Sequence, residues 1–321
     1  AARAAGEAQG SASGRDAAAT MLLTQNELES FANHETVVHD KSVTRRLFEP
    51  FWERIAAYLP EDVAPNLISL ASMLCLVQAW YLTFTNGEAY PRETTAAAIV
   101  LIFVFWTLDS VDWIHARNTR NDSSLTEFFD HICSSIGTIF LVLTLCECYA
   151  VTDIDSIWHY VQVGQLLIFN KHLSGLKREY ISYRLFNGPG EGVTVFIILL
   201  AVRAGLGLNF VDEWAGYVLN LMHSVVPPAL LKVNPDLFEN PSVKLSRTLF
   251  FWVLSWTVLM TLRLGTGKEH RVTRWSLLFC FMYLVIPSGL VMFSFELTLA
   301  DVIARGLVTA MVSSDIVVAR M

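Results

Sequence analysis

Charged residues are scarce in this chain, and their scarcity excludes most soluble folds. Only 17% of the 321 residues are charged, whereas a soluble domain of this size carries roughly a quarter. Mean hydropathy is +0.43, and the apolar residues come in long blocks without the alternation of a transmembrane β-barrel. Since only helices and closed barrels satisfy their backbone hydrogen bonds in lipid, the sequence predicts an all-α, polytopic integral membrane helix bundle.

Several familiar functional signatures are also absent. The 5 cysteines include no pair with the spacing of a zinc site, which predicts free, buried thiols. The formal charge is −7 and no basic cluster stands out, so nucleic acid is not a predicted partner. The chain has no P-loop, nucleophile elbow or dinucleotide-binding glycine motif. The candidate chemistry therefore lies with the polar residues in or beside the apolar blocks.

The amino-terminal region has no apolar block. Residues 1–35 lack the apolar core of a secretory signal, and we predict a polar, partly disordered segment, with what remains of a processed targeting segment as the alternative. Residues 36–62 are predicted to contain an amphipathic helix in the headgroup region, with an ordinary surface helix as the alternative. Its apolar side chains recur every three or four residues: Leu47, Phe51, Ile55 and Tyr58.

Residues 63–321 form the predicted transmembrane domain, with about 8–10 membrane helices of about 20 mostly apolar residues each. The blocks lie near 66–85, 94–114, 125–150, 155–173, 192–210, 214–232, 246–265, 274–295 and 297–319. Basic residues before the first block and after the second, fourth and sixth place the amino terminus and the loop between blocks two and three on the cytoplasmic-type side. Basic residues after the seventh block break this pattern, so either the count fails there or the earlier spans dominate.

Three carboxylates and a serine mark the place where the second block ends and the third begins. Asp109 and Asp112 are three residues apart and share one helix face, and Asp130 and Ser134 are four apart and share another. A short polar loop joins the two predicted helices, so we expect them to be adjacent and antiparallel. This arrangement brings the carboxylates together at the membrane edge.

Grouped carboxylates repel each other unless a cation neutralises them, and ionisable groups at membrane depth are usually functional. Hard oxygen ligands suit Mg²⁺ or Mn²⁺. The cluster is therefore a candidate metal site for a phosphate-bearing substrate. The alternative is that Asp109 and Asp112 cap a helix end and pair with Arg117 or Arg120.

The spacing of this cluster resembles the signature of the CDP-alcohol phosphotransferases, in which four aspartates, two glycines and an Ala-Arg pair stand on two consecutive spans. Five positions agree in register: Asp109, Asp112, Ala116, Arg117 and Asp130. The resemblance to the choline/ethanolamine phosphotransferase branch covers about residues 36–321, after which a last span would be expected. It also rests on His39-Asp40-Lys41-Ser42, Pro50-Phe51-Trp52, Pro60, Ala64-Pro65-Asn66, Glu179-Tyr180, Asn187 to Gly192 and Ile316 to Met321.

This resemblance implies a fold that transfers phosphocholine or phosphoethanolamine from a CDP-alcohol to diacylglycerol and releases CMP. Divalent cations, Mg²⁺ or Mn²⁺, would be held by Asp109, Asp112 and Asp130. The nucleotide would lie at Trp113, Ala116 and Arg117. The substrate cavity would be lined by Glu179, Asn187, Gly188 and Glu191, although the segment from Asn187 to Gly192 also fits an ordinary turn before a helix.

Three positions depart from the family pattern. Ser134 replaces the fourth aspartate, which is thought to be the base, while Trp113 and Thr126 replace the two glycines. A serine hydroxyl cannot accept a proton at neutral pH without a base of its own, and losing a general base costs about 10²–10⁴ in rate. We expect His131 to be a poor substitute, because neighbouring helix residues point about 100° apart, and His115 is the candidate from the other helix.

Trp113 has two interpretations, since an indole either fills the space that a cytidine needs or anchors the chain by facing lipid. The three departures together favour a catalytically impaired member of the branch that serves as a structural or lipid-binding subunit of a membrane protein complex or as a homodimer. The alternative is an active CDP-choline/CDP-ethanolamine:diacylglycerol phosphotransferase that requires Mg²⁺ or Mn²⁺. A transporter or channel is a third hypothesis, but no inverted repeat of broken helices supports it.

The expected lipid partner is a membrane phospholipid or diacylglycerol. The resemblance implies an endomembrane location (ER or Golgi). A mitochondrial or other organellar inner membrane is the alternative, because the amino terminus is unusual and catalysis is expected to be impaired.

Overall fold

The computed structural model describes residues 38–178, 181–183, 188–207, 241–263 and 297–320. The helices are α1 (Val43–Tyr58), α2 (Pro65–Asn86), α3 (Pro91–Asn118), α4 (Ser124–Cys148), α5 (Ile154–Arg178), α6 (Pro189–Leu206), α7 (Pro241–Arg263) and α8 (Leu299–Arg320). Two short strands, β1 (Val38–Asp40) and β2 (Ile181–Tyr183), pair in parallel with His39 opposite Ser182. Apart from this pairing, the described elements are all helical.

Four helices, α2, α3, α4 and α6, are long and apolar enough to cross a membrane. They coincide with the first, second, third and fifth predicted blocks, and the predicted class of an all-α polytopic membrane protein is confirmed. The predicted spans near 214–232 and 274–295 lie outside the described residues, as does the predicted polar segment 1–35. The amphipathic helix α1 is present, and its position in the headgroup region stays a prediction.

Prolines and a serine define where the membrane helices begin. Pro65, Pro91 and Pro189 are the first residues of α2, α3 and α6, where a missing N–H loses no intrahelical hydrogen bond. Helix α4 begins after Ser123, whose Oγ accepts a hydrogen bond from the Thr126 amide at 3.2 Å. The loop between α3 and α4 is consequently short, and the two helices that carry the carboxylates are neighbours.

Two apolar clusters hold the helices together. In the first, Trp52 of α1 packs edge-on against Trp106 of α3, with ring centroids 5.5 Å apart. In the second, α5 packs against α4, α7 and α8 around the fully buried Phe169 and Phe250. Helices α2 and α4 approach closely at Gly137, where a Cβ would lie only 2.9 Å from the side chain of Leu76.

Helices α5 and α7 run in the same direction. Asn170 Nδ2 donates to Thr257 Oγ1 at 2.8 Å, and the hydroxyls of Ser156 and Ser246 lie 3.3 Å apart. The alternating order of the nine predicted spans makes the fourth and seventh antiparallel, and the parallel arrangement of α5 and α7 differs from that order. The end of α7 therefore lies on the side of the α3–α4 loop, where its terminal Arg263 fits the positive-inside rule. The basic residues at the beginning of α7 lie on the opposite side and are an exception to the positive-inside rule.

Candidate functional site

Helices α3 and α4 bring the predicted carboxylates together with one side chain from α2. Asp109 and Asp112 lie on α3, and Asp130 and Ser134 meet them from α4. Ser69 of α2 contacts Asp112 from a third direction. Three helices therefore converge on one polar cluster at the end of the bundle that carries the α3–α4 loop.

Asp112 and Asp130 form the centre of this cluster. Asp112 is 3% exposed, and its Oδ2 accepts a hydrogen bond from Ser69 Oγ at 2.6 Å. The carboxyl groups of Asp112 and Asp130 contact each other, and Oδ1 of each is buried without a hydrogen-bond partner. Ionised carboxylates are acceptors only, so their contact requires either a shared proton or a cation between them.

The chemistry of this donor set fits a hard divalent cation. Carboxylate oxygens are the ligands that Mg²⁺ and Mn²⁺ prefer, and the Oδ1 atoms of Asp112 and Asp130 have no competing donor. Among the described residues, no three His, Cys, Asp or Glu side chains are arranged as a complete metal site. Mg²⁺ usually keeps several waters and needs only one or two carboxylates, so a partial protein ligand set is compatible with such a cation.

Ser134 donates its hydroxyl to the third carboxylate. Its Oγ lies 2.9 Å from Asp109 Oδ1, and an ionised carboxylate can only accept in such a pair. At the position where the family pattern places a base, this chain has a proton donor. One oxygen of Asp109 is engaged by that bond, as one oxygen of Asp112 is by Ser69.

Trp113 lies between two guanidinium groups. Arg117 of α3 stacks on its ring at 3.9 Å from the centroid, and Arg45 of α1 does so at 4.6 Å. The indole packs against the aromatic cluster shared by α1 and α3, so it is held toward α1 instead of standing free as a lipid-facing anchor. Such cation–π contacts are worth about 0.5–2 kcal/mol each. Trp113 thereby joins Arg117, the predicted nucleotide-binding arginine, to α1, while the neighbouring Ala116 is buried.

The two histidines of this region have different surroundings. His115 is 1% exposed, and its Nε2 pairs with the Val63 carbonyl at 2.9 Å, so it links α3 to the segment before α2. Its role as a replacement base stays a prediction. His131 Nε2 lies 3.3 Å from Glu127 Oε1 on the same helix. Whether His131 is a poor substitute for the base stays a prediction.

Sequence reasoning missed two residues of this site, Ser69 and Arg45. Ser69 is a polar residue at the beginning of an otherwise apolar block, three residues after Asn66, and that helical spacing was a usable signal. The contact of Arg45 with Trp113 had no sequence signal, because it depends on how α1 packs against α3.

The segment from Gly188 to Glu191 packs against the beginning of α1. Glu191 Oε1 accepts a hydrogen bond from the Thr44 amide at 3.2 Å, which supplies the cap that the side chain of Ser42 does not provide. A Cβ on Gly188 would collide with the Glu191 carboxylate. The role of these residues in a substrate cavity stays a prediction. Two other predicted cavity residues lie outside the described residues: Glu179 and Asn187.

The family model of the CDP-alcohol phosphatidyltransferases matches residues 62–222. The chain belongs to this family. The matched region contains α2 to α6 and all the carboxylates of the cluster. The resemblance that the spacing of Asp109, Asp112 and Asp130 suggested is therefore confirmed at the level of the CDP-alcohol phosphatidyltransferase family.

Curated relatives support the choline/ethanolamine branch of this family. Choline/ethanolaminephosphotransferase 1 of Arabidopsis thaliana is 24% identical over 236 residues, which are 72% of this chain and 57% of that protein. Cholinephosphotransferase 1 of Gallus gallus is 29% identical over 165 residues, 49% of each chain. An uncharacterized class-I family protein of Dictyostelium discoideum is 25% identical over 190 residues, 58% of this chain and 46% of that protein. The chain spans about half the length of the curated relatives it matches.

Thr126, which the resemblance aligns with a glycine, lies in the first turn of α4 and takes part in the cap of that helix. Its Oγ1 donates to the Asn121 carbonyl at 3.2 Å, and its amide donates to Ser123 Oγ at 3.2 Å.

Proposed function

We propose that this chain is a choline/ethanolamine phosphotransferase-like membrane protein in which phosphoryl transfer is strongly impaired, and that it serves as a structural or lipid-binding subunit of a membrane assembly. One observation carries the proposal. Ser134, at the expected base position, donates its hydroxyl to Asp109 at 2.9 Å, and a neutral hydroxyl is too weakly basic to take a proton from an attacking lipid hydroxyl at neutral pH. Loss of a general base costs about 10²–10⁴ in rate.

The surroundings of Trp113 support the same proposal. Its indole lies against Arg117, the residue that by resemblance would meet the nucleotide. A glycine at this position would leave room for a ligand to approach the backbone, whereas an indole occupies a volume comparable to that of a nucleobase. We infer that the Trp113 ring competes with the cytidine of a CDP-alcohol for the face of Arg117.

The carboxylates retain part of the family chemistry. Asp112 and Asp130, with Asp109 beside them, are the residues that would hold Mg²⁺ or Mn²⁺, and such a cation would neutralise the charge of a pyrophosphate. Asp112 and Asp130 concentrate negative charge at this site. Ser69 orients Asp112, and Ser134 donates a hydrogen bond to Asp109. These roles keep a polar site intact without providing a base.

An active phosphotransferase remains the second candidate, because one specific observation favours it. His131 Nε2 donates to Glu127 Oε1 at 3.3 Å, and the residue lies on α4, the helix that carries Asp130. A carboxylate that orients an imidazole is a recurrent arrangement of general bases. In this candidate, His131 would take the proton of the lipid hydroxyl, and Glu127 would fix the ring.

A rescue series tests the proposal. Wild type, Ser134→Asp and the double variant Ser134→Asp/Trp113→Gly are compared in membranes supplied with Mg²⁺, diacylglycerol and CDP-choline or CDP-ethanolamine. We expect turnover to rise about 10²-fold or more in the double variant, with a smaller gain in Ser134→Asp. Wild-type turnover that Ser134→Asp leaves unchanged and that His131→Ala abolishes would contradict the proposal and support the second candidate.

A readout other than activity accompanies this series. Because Ser134 lies 2.9 Å from Asp109, an aspartate there adds a fourth carboxylate to the cluster and increases its repulsion. We expect Mg²⁺ to raise the unfolding temperature of Ser134→Asp more than that of the wild type. Equal responses of the two proteins to Mg²⁺ would mean that position 134 does not face the cation site.

The proposed assembly role and location call for separate tests. Purification in mild detergent should yield the chain with protein partners or as a homodimer, and cell fractionation should distinguish an endomembrane from an organellar inner membrane. A monomer that carries neither protein nor lipid after purification would contradict the subunit role. The proposed lipid partner is a phospholipid or diacylglycerol.

A further inference from the structure

Arg203 is a charged side chain buried in a membrane helix. It lies one turn before the end of α6 and is 7% exposed. Charged residues at membrane depth are rare, and each is a candidate for function. The carboxylate cluster gives Arg203 no role, because the two lie at opposite ends of the bundle.

The length of helix α4 gives the distance between Arg203 and the carboxylate cluster. Asp130 belongs to the carboxylate cluster, and Cys148 at the other end of the same helix contacts Arg203. At a rise of about 1.5 Å per residue, positions 130 and 148 are about 27 Å apart along the helix. Arg203 therefore lies near the membrane face opposite the candidate active site.

The guanidinium of Arg203 has only a weak counter-charge. Its Nε donates to the Cys148 carbonyl at 2.7 Å, one of the carbonyls that α4 leaves unpaired at its carboxyl end. That end carries about half of an elementary negative charge. No ion pair in the described ranges includes Arg203, and Nε is its only donor with a partner there. The two terminal nitrogens are therefore available to an acceptor that brings negative charge.

Buried charges in proteins are normally paired, because an unpaired charge in a low-dielectric interior is strongly destabilised. The hydroxyl group of Tyr149, next to Cys148 in the chain, donates to the Leu199 carbonyl at 2.8 Å. Leu199 and Leu206 share the helix face of Arg203 and are 40% and 57% exposed. The cation is thus flanked by exposed apolar surface of the same helix.

We propose that Arg203 binds the phosphate of an anionic phospholipid in the leaflet opposite the carboxylate cluster. A phosphate accepts paired hydrogen bonds from the two terminal nitrogens of a guanidinium. The last turn of a membrane helix lies at the depth of lipid head groups, and basic pockets between membrane helices recognise such head groups. Leu199 and Leu206 supply the surface for the acyl chains. This site is independent of whether the carboxylate cluster is active.

Thermal unfolding in lipid nanodiscs tests the proposal. Wild type and Arg203→Met are compared in phosphatidylcholine discs and in discs doped with phosphatidylglycerol. In pure phosphatidylcholine, Arg203→Met should unfold at the same or a higher temperature than the wild type, because it lacks a buried unpaired charge. Phosphatidylglycerol should raise the unfolding temperature of the wild type by about 2 °C or more and leave Arg203→Met unchanged.

Arg92→Met is the matched control. Arg92 is an exposed arginine in the first turn of α3, at the same end of the bundle. The Arg92→Met variant loses one positive charge from the same face of the membrane as Arg203→Met does. Phosphatidylglycerol should still raise the unfolding temperature of Arg92→Met. Arg203→Lys keeps a charge without the paired donors and should show a reduced shift.

The outcomes distinguish a lipid site from a helix cap and from a site for free phosphate. If Arg203→Met is destabilised equally in both kinds of disc, the arginine is only a helix cap and the proposal is overturned. If inorganic phosphate added to phosphatidylcholine discs stabilises the wild type as much as phosphatidylglycerol does, the ligand is free phosphate and the lipid assignment is overturned. If Arg203→Met does not fold, the wild type alone tests the proposal. An unfolding temperature of the wild type that does not rise with phosphatidylglycerol then overturns it.

Discussion

The carboxyl group of Asp112 depends on a single hydroxyl group. Ser69 Oγ donates to Asp112 Oδ2 at 2.6 Å, and both side chains are buried. The other oxygen of Asp112 has no hydrogen-bond partner. At the scale of single residues, one short bond therefore ties α2 to Asp112, and the unpartnered oxygen is where a proton or cation is required.

Replacement of Ser69 by alanine should destabilise the protein. The change leaves a buried carboxyl oxygen without its donor, which costs about 1–3 kcal/mol. Ser72→Ala is the matched control, because Ser72 is also buried on α2 but donates only to the Ser69 carbonyl of its own helix at 2.7 Å. Thermal unfolding in nanodiscs should show a lower unfolding temperature for Ser69→Ala than for Ser72→Ala. Equal shifts would show that Asp112 does not need this bond.

At the scale of elements, the first turn of α1 is tied to the transmembrane helices by two contacts, in addition to the packing of Trp52 on Trp106. Its first turn is capped by Glu191 of α6, and its Arg45 stacks on Trp113 of α3. Both contacts connect α1 to the end of the bundle that holds the carboxylates. The two contacts thereby hold the amphipathic helix α1 beside the candidate site.

Two glycines in the first turn of α6 should respond differently to alanine. A Cβ on Gly190 would lie 2.5 Å from Thr44 Oγ1 and 3.0 Å from the Trp106 ring, whereas a Cβ on Gly192 meets nothing within 4 Å. We expect Gly190→Ala to separate α6 from α1 and to increase hydrogen exchange in the first turn of α1. Gly192→Ala should be neutral or stabilising by up to about 1 kcal/mol, because alanine favours the helix. Similar exchange in both variants would contradict the close contact of α1 and α6.

At the scale of the whole molecule, the sequence predicted the class of fold, the membrane helices and the cluster of Asp109, Asp112 and Asp130. These features follow from local rules, namely apolar block length and helical spacing. The parallel arrangement of α5 and α7 did not follow, because it rests on two interhelical hydrogen bonds, Asn170 with Thr257 and Ser156 with Ser246. Hydropathy alone counts spans and carries no information on such pairings.

Tertiary packing also explains what sequence reasoning missed within the site. The bond from Ser69 of α2 to Asp112 of α3 was not expected, because the two residues are far apart in the chain. The alternatives for Trp113 were nucleotide space and lipid, and neither anticipated Arg45 of α1 as a partner. Spacing rules carry no information on contacts between residues that are far apart in the chain.

The central claim is that the carboxylate cluster of this CDP-alcohol phosphatidyltransferase family member no longer supports efficient transfer. The most direct measurement is the turnover of wild type and Asp109→Ala in the same membranes, with Mg²⁺, diacylglycerol and a CDP-alcohol. Because the proposed impairment leaves little for Asp109 to support, we predict that the two rates agree within about threefold, which is less than about 0.7 kcal/mol in barrier height. A wild-type rate that exceeds the Asp109→Ala rate by about 10²-fold or more would contradict this account and establish the chain as a working phosphotransferase.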